Sequence, residues 1–293
     1  MKVSVVIPVY NARDVIGETI ESVLAQTWTD REIVVVDDGS SDGSGDIVRS
    51  FGERVRYVRQ ENGGVARARN RGIAESTGEY VALLDHDDLW HPTKLDKQVA
   101  VLDRRPEVGM VVTDVAHLDR EGKPMGVIGA GYNPSETFAR LFVRGFVPTP
   151  SAAMIRRSVL ETVGGFDERF HSAGLDDHEL WTRIAARYEI ANIAEPLTYH
   201  RNREIKPADV ALAHRPLLIE TLLARVGDDP VKRRYLLREQ ASYLADRGKQ
   251  LINMGERTQG RSCLVHGFAL SVNEAHSWKT AWRCLSRLVR SYV

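Results

Sequence analysis

The sequence lacks any run of the roughly 18 to 20 uninterrupted apolar residues that a membrane-spanning helix needs. It opens on a β-branched, apolar stretch instead of the basic and apolar regions of a signal peptide, so we expect a cytoplasmic protein. Cysteine is scarce, since Cys263 and Cys284 are the only two in 293 residues and lack metal-ligand spacing. We therefore expect reduced thiols and no disulfide framework.

Two common ligand-binding motifs are also missing. A dinucleotide-binding fold would place G-x-G-x-x-G after the first strand, where this chain has PVYNARD and no glycine for close approach to a pyrophosphate. Histidines occur at positions 86, 91, 117 and 178, but they form no H-E-x-x-H or paired Cys/His pattern. Neither dinucleotide binding nor a zinc site is predicted.

The formal net charge of zero conceals an asymmetry along the chain. Residues 1–199 carry 23 Lys and Arg against 31 Asp and Glu, whereas residues 200–293 carry 17 against 9. A basic C-terminal part suits an anionic membrane surface, or it docks onto the acidic part of its own chain. We do not expect nucleic acid as a partner.

The first 200 residues alternate between strand and helix signals. KVSVVIPVY predicts a buried strand, Asn11 a helix cap, and EIVVVDD and YVALLD two further strands. Such alternation predicts an α/β fold with a mostly parallel sheet flanked by helices, whose ligands bind beyond the carboxyl ends of the strands. From about residue 208 the pattern is helical, so we predict domains at 1–205 and 206–293.

An acidic cluster follows the strand YVALLD directly. Asp85, Asp87 and Asp88 fall within four positions, where like charges repel unless a ligand relieves them. Carboxylates suit Mg²⁺ or Mn²⁺, which proteins commonly hold with one or two carboxylates and substrate phosphates. The alternative is a solvated loop in which Asp87 and Asp88 cap the next helix.

An ordered set of motifs carries a family resemblance. The set is VVIPVYNARDVIGETIESVLAQTWTDREIVVVDDGSSDGS, NGGVARARNRGIAESTGEYVALLDHDDLW, VGGFDERF and DDHELWTR. In order and spacing it resembles the inverting family 2 glycosyltransferases, which have the GT-A nucleotide-binding fold. The resemblance covers about residues 1–200.

The resemblance implies a site for a nucleotide sugar, with UDP the favoured nucleotide. Pro8, Tyr10 and Asp38 would line it, with Asp38 contacting uracil or ribose. Arg69 would lie near the base or the phosphates, and Asp85 would face the ribose.

The resemblance also implies a metal ion and a base. Asp87 would coordinate Mg²⁺ or Mn²⁺ on the diphosphate, and Asp177 would be the base that activates the acceptor hydroxyl. Relatives carry glutamate in place of Asp176, which leaves its part in acceptor positioning open. Acceptor-side or supporting positions would be Asp88, Asp176 and Trp181.

One histidine departs from the family pattern. After EPLTY relatives commonly place an arginine and, two residues on, a histidine that reaches the metal or phosphate, whereas this chain has His200, Arg201 and Asn202. His200 takes that role from a shifted register, or it is a structural histidine at a strand end.

These features together predict a metal-dependent inverting glycosyltransferase. It would move a sugar from a nucleoside diphosphate to a glycan or lipid-linked acceptor, in surface polysaccharide or glycolipid assembly. The alternative is a non-catalytic nucleotide-sugar-binding or scaffold protein, which the presence of Asp38, Asp85, Asp87 and Asp177 disfavours.

The last segment, HSWKTAWRCLSRLVRSYV at residues 276–293, has helical periodicity. One side carries apolar positions: Trp278, Ala281, Trp282, Leu285, Leu288, Val289 and Tyr292. Another side is basic. Such a helix suits peripheral contact with the inner face of the cell membrane, or it packs on its own domain or on a second subunit of a homodimer.

Overall fold

The computed structural model describes residues 2–119, 124–129, 147–173, 175–201, 208–225, 229–273 and 277–291. The chain forms two compact units, Met1–Pro207 and Ala208–Val293. Their boundary lies two residues beyond the one predicted at 205. The alternating strand and helix signals therefore fall in the first unit, and the helical signals fill the second.

The first unit is built on one mixed sheet. Its described strands are β1 (Val3–Val9), β2 (Arg31–Asp37), β3 (Arg56–Arg59), β4 (Tyr80–Leu83), β5 (Leu89–Trp90), β6 (Val108–Leu118), β7 (Pro124–Ile128), β8 (Met154–Arg156) and β9 (Glu189–Arg201). They lie in the order β3-β2-β1-β4-β8-β6-β9-β5, with β7 beside β6. The predicted α/β class is confirmed.

The first four strands of that order are parallel, as the repeated strand and helix signals predicted. Strand β8 then pairs antiparallel with both β4 and β6, and β5 pairs antiparallel with β9. Because β1, β2 and β4 run the same way, the residues after each of them meet at one edge of the sheet. That edge collects Tyr10, Asp38 and Asp85.

Helices flank the sheet and fill the second unit. The described ones are α1 (Ile16–Leu24), α2 (Ser44–Ser50), α3 (Val65–Glu75), α4 (Lys94–Arg104), α5 (Arg157–Val163), α6 (Asp176–Ala185), α7 (Ala208–Arg225), α8 (Pro230–Asn253), α9 (Arg257–Asn273) and α10 (Trp278–Arg290). No helix in these described ranges is both long and apolar enough to cross a bilayer.

Burial explains how the first helices pack. All seven residues of β1 are buried, and α1 presents Ile16, Ile20 and Val23 to the same core. Helix α3 packs so close to β1 that a Cβ atom added at Gly72 would lie 2.3 Å from the Val6 Cγ1 atom. A glycine is therefore required where α3 crosses the sheet.

The predicted helix cap at Asn11 is wrong. Helix α1 begins at Ile16, five residues later, and Asn11 instead adopts a left-handed φ of 47°. Its backbone N–H donates to Ser40 Oγ, and its side-chain oxygen accepts from the Ser41 N–H. An Asn side chain tolerates this conformation and bonds to nearby backbone, so Asn11 joins the loops after β1 and β2.

Candidate active site

The acidic cluster forms a tight turn beyond the end of β4. The Asp88 N–H donates to the Asp85 carbonyl at 3.1 Å, and the Asp85 N–H donates to Ser151 Oγ at 3.0 Å. The indole N–H of Trp90 donates to the Ser151 carbonyl at 2.8 Å. Ser151, in a short 3₁₀ turn before β8, thus anchors both ends of the acidic turn.

Arg69 joins this turn to a distant helix. Its Nη2 lies 2.7 Å from Asp85 and its Nη1 lies 2.8 Å from Asp176 at the start of α6. The guanidinium is 5% exposed and stacks 5.2 Å from the Phe166 ring centre. Burial would lower the pKa of Arg69, but the two carboxylates raise it, so the side chain stays charged.

The carboxylates around Arg69 differ in acidity. Burial would raise the pKa of Asp85, but the charge and hydrogen bond of Arg69 lower it. Burial, followed by the neighbouring Asp176, raises the pKa of Asp177 to about 7, and Arg69 only partly offsets this. Asp177 therefore exchanges a proton near neutral pH, as a general base must, whereas Asp85 stays ionised.

Asp88 and His200 form a hydrogen-bonded pair at the same edge. His200 Nδ1 lies 2.8 Å from Asp88 Oδ1, and Thr149 Oγ1 lies 3.2 Å from the other carboxylate oxygen. The hydrogen bond to Asp88, together with the charges of Asp87 and Asp85, raises the pKa of His200 against the effect of burial. His200 therefore lies within the electrostatic field of the acidic turn.

The residues predicted to contact the nucleotide lie at the ends of β1 and β2. Pro8 is buried within β1, whereas Tyr10 is 47% exposed beyond its end. The Asp38 carboxylate is 3% exposed and accepts hydrogen bonds from Gln60 Nε2 at 2.7 Å and from two backbone N–H groups, of Gly63 at 2.9 Å and Gly64 at 2.8 Å. Asp38 thus holds the loop that leads into α3, and Tyr10 offers an exposed ring.

The comparisons with known proteins settle the family. Residues 4–164, more than half of the chain, match the family model described as glycosyl transferase family 2. This chain belongs to that family. The resemblance predicted from the motifs is confirmed.

Several relatives and solved structures resemble this family 2 chain. An uncharacterized glycosyltransferase of Rickettsia typhi, RT0329, is 43% identical over 110 residues, 38% of this chain and 35% of the relative. The putative glycosyltransferase EpsE of Bacillus subtilis is 30% identical over 188 residues, 62% of this chain and 66% of EpsE. An uncharacterized Rickettsia felis glycosyltransferase is 34% identical over 191 residues, 62% of this chain and 31% of the relative. The chain thus spans about a third of the two Rickettsia proteins.

The fold resembles that of S. aureus TarS. A crystal structure of TarS superposes with a TM-score of 0.72 at 19% identity, over all of this chain and 54% of TarS. A structure of TarS 1–349 in complex with UDP-GlcNAc superposes with a TM-score of 0.72 at 18% identity, over 100% of this chain and 89% of the TarS chain. At such identities the likeness concerns the fold, and it supports the predicted GT-A architecture with a helical C-terminal part.

A divalent cation at this edge would need ligands from a bound substrate. Within the described ranges no three His, Cys, Asp or Glu side chains are grouped to hold a metal ion. The predicted ligands Asp87, which is 8% exposed, and His200, whose Nδ1 is paired with Asp88, would supply two ligand atoms. Mg²⁺ and Mn²⁺ bound at phosphate sites commonly have so few protein ligands, because phosphate oxygens and water complete the coordination.

Two of the residues predicted at acceptor-side or supporting positions are buried. Asp176 is 2% exposed and bonds to Arg69. Trp181 is also 2% exposed and meets the Phe166 ring edge-on at 6.1 Å. Trp181 packs α6 against the sheet and contributes stability, while Asp177, half-buried, lies on the first turn of that helix.

Sequence reasoning missed the residues that anchor the site. Ser151 and Thr149 lie in TPSA, which forms a 3₁₀ turn followed by the three-residue strand β8. Pro150 directly after Thr149 was the available signal, because proline favours a turn and removes a strand donor. The ion pair between Arg69 and Asp176 spans 107 residues and has no local signal at all.

Proposed function

We propose that this chain is a metal-dependent inverting glycosyltransferase. It moves a hexose-type sugar from a nucleoside diphosphate, with UDP favoured, to an acceptor hydroxyl on a growing glycan or a lipid-linked glycan. The proposed setting is surface polysaccharide or glycolipid assembly. Family membership and the acidic edge of the sheet together support it.

One observation carries the proposal: the Arg69 guanidinium binds Asp85 at 2.7 Å and Asp176 at 2.8 Å. This bridge ties the acidic turn, which is the donor side, to the first turn of α6, which carries Asp177. Transfer between two bound molecules requires a donor subsite and a base at a fixed separation. The buried Arg69, which is paired with a carboxylate on each side, fixes that separation.

Asp177 is proposed to remove the proton from the acceptor hydroxyl as that oxygen attacks the anomeric carbon. Its pKa of about 7, raised by burial and by Asp176, lets it accept a proton at neutral pH. Attack opposite the departing nucleoside diphosphate inverts the anomeric centre. One carboxylate base suffices when leaving-group charge is stabilised separately.

The donor side would stabilise that leaving group. Asp87 and His200 would hold Mg²⁺ or Mn²⁺ against the diphosphate, where the cation neutralises developing negative charge. Tyr10, exposed beyond β1, would contact the nucleotide, and Asp38 would shape the loop before α3. The TarS structures in complex with UDP and UDP-GlcNAc support a uridine nucleotide, by similarity of fold.

The direct test is release of nucleoside diphosphate from a panel of UDP-, GDP- and dTDP-sugars, with Mn²⁺ or with EDTA. We expect release from at least one UDP-sugar, dependent on the metal. A non-catalytic binding or scaffold protein, the second candidate, would shift its melting temperature with a nucleotide sugar and yet release nothing. Metal-independent release would contradict the role assigned to Asp87.

We also propose that α10 contacts an anionic membrane, where a lipid-linked acceptor would lie. Ala281 and Cys284 face the interior of the second unit, at 1% and 0% exposure, so the predicted apolar side splits in two. The outer edge carries Trp282 at 71%, Leu285 at 37% and Val289 at 58% exposure. The Trp278 side chain and Tyr292 lie outside the described part of the chain.

Charge complementarity favours lipid as the occupant of that edge. Helix α10 has four basic residues and no acidic one, and the exposed Lys279 and Arg290 lie in its first and last turns. The other two are engaged, Arg283 with Ser242 Oγ at 2.6 Å and Arg287 with Asp246 at 2.8 Å. Exposed Trp with adjacent cations is typical of interfacial helices.

Cosedimentation with phosphatidylglycerol vesicles tests the membrane contact. Trp282→Ser with Val289→Ser should lose binding, whereas Val231→Ser, at a position 73% exposed in α8, should keep it. High salt should weaken binding by the wild type. Equal binding by all variants would refute the contact, and a homodimer that the α10 variant dissociates would assign the edge to a second copy.

A further inference from the structure

Asp88 has an unusually complete set of partners for a loop carboxylate. It is 0% exposed, and its Oδ1 faces His200 Nδ1 at 2.8 Å and the Arg201 N–H at 3.4 Å. Its Oδ2 accepts from Thr149 Oγ1 at 3.2 Å. Partners from two other segments of the chain therefore fix the orientation of this carboxylate.

The helix-capping alternative for Asp88 does not hold. Helix α4 begins at Lys94, with Thr93 preceding it, so Asp88 lies six residues before the first helical residue. A carboxylate this far from the helix cannot accept from its first N–H groups. Another reason is needed for burying an acidic side chain here.

The pair with Asp88 determines which nitrogen of His200 carries a hydrogen. When the Asp88 carboxylate is ionised it only accepts hydrogen bonds, so Nδ1 is then the donor, and in the neutral ring Nε2 keeps its lone pair. No described residue hydrogen-bonds Nε2, and the His200 side chain is 30% exposed. The His117 ring meets the His200 ring edge-on at 5.3 Å and restricts its tilt.

We propose that Asp88 is a positioning residue that holds His200 in its Nδ1–H form, so that Nε2 is presented to the cation bound with the donor diphosphate. This inference rests on the metal-dependent function proposed above. Metal-bound histidines commonly donate their other N–H to a carboxylate, which fixes the tautomer and increases the basicity of the ligand. Thr149, through the second oxygen of Asp88, would extend the same support.

The test is Mn²⁺ titration, followed by electron paramagnetic resonance, in the presence of saturating UDP and without any sugar transfer. We expect Asp88→Ala and His200→Ala each to weaken Mn²⁺ binding by about 10- to 100-fold, the range typical of such outer partners. The double variant should bind no more weakly than His200→Ala, because Asp88 acts through His200. UDP affinity in EDTA should be the same in all four proteins.

Asp103→Asn is the matched control. Asp103 accepts a 2.6 Å hydrogen bond from Tyr80, which lies at the opposite end of β4. The Asp103→Asn variant therefore neutralises a paired carboxylate that is away from the site. It should leave Mn²⁺ binding unchanged. If Asp88→Ala does not fold, Asp88→Asn keeps the shape and an acceptor oxygen but loses the charge, and it should still weaken Mn²⁺ binding.

Different results would refute different claims. An Asp88 variant that binds Mn²⁺ like the wild type overturns the positioning role alone. A further loss when Asp88→Ala is added to His200→Ala also overturns it, because a general effect on the loop would then be responsible. A wild-type chain whose UDP binding is independent of Mn²⁺ overturns the metal step itself, and this inference with it.

Discussion

Arg69 offers the sharpest test of how the site is held together. Arg69→Met keeps most of the apolar volume but leaves Asp85 and Asp176 without their shared cation. Both ion pairs are short, and the side chains of Arg69 and Asp176 are only 6% and 3% exposed. Removing one partner of a buried pair costs about 3 to 5 kcal/mol, which in a domain of roughly 200 residues lowers the melting temperature by about 6 to 20 °C.

The assay is thermal unfolding of the full chain at pH 7, with two comparisons. Arg157→Met removes an arginine whose hydrogen-bond partners among the described residues are the Gly78 and Ile73 carbonyls and Ser76 Oγ, so it should cost clearly less. Adding Asp176→Asn to Arg69→Met should recover part of the loss, because it removes an unpaired buried charge. Equal losses for the two arginine variants, or no recovery, would refute the electrostatic explanation.

Three further variants test other parts of the structure. Asp177→Asn should lower transfer by about 10²- to 10⁴-fold with donor affinity intact, and the wild-type rate should rise with pH through about 7, because the base must be deprotonated. The same variant should melt above the wild type by clearly more at pH 8 than at pH 5, since a carboxyl whose folded pKa is raised to about 7 contributes stability that is full below its unfolded pKa of about 4 and is lost progressively as the pH rises to 7. An equal difference in melting temperature at both pH values would argue against burial of this charge. Asp87→Asn should abolish metal-dependent release without lowering the melting temperature, and surviving activity would remove Asp87 from the metal site. Gly260→Ala should destabilise the second unit by about 1 to 3 kcal/mol, because the new Cβ would lie 2.7 Å from the Gly248 carbonyl oxygen. Denaturant unfolding measures this loss, and an unchanged transition would show that α8 and α9 can separate there.

Local periodicity predicted the parallel half of the sheet well. The apolar runs that became β1, β2 and β4 are buried on both sides, and such runs have a clear sequence signature. The antiparallel part was harder, because β5 has two residues and β8 three. Segments so short carry no periodicity, and their pairing with distant strands defines them.

The position of the candidate site could be predicted from the sequence, but the side-chain contacts within it could not. Parallel topology placed Asp38 and Asp85 at one edge from sequence alone, because both follow strands. The pairs that organise the edge join Arg69 to Asp176 and Asp88 to His200, across 107 and 112 residues. Such contacts depend on how the chain packs, which single-sequence patterns do not encode.

The stereochemistry of sugar release tests the central claim most directly. Without an acceptor, water can take its place, so the wild-type chain with Mn²⁺ and an α-linked UDP-sugar should slowly release free sugar and UDP. Proton NMR recorded before mutarotation should show the β-anomer first, and Asp177→Asn should release far less. Initial appearance of the α-anomer, or release that Asp177→Asn leaves unchanged, would contradict a single inverting displacement assisted by Asp177.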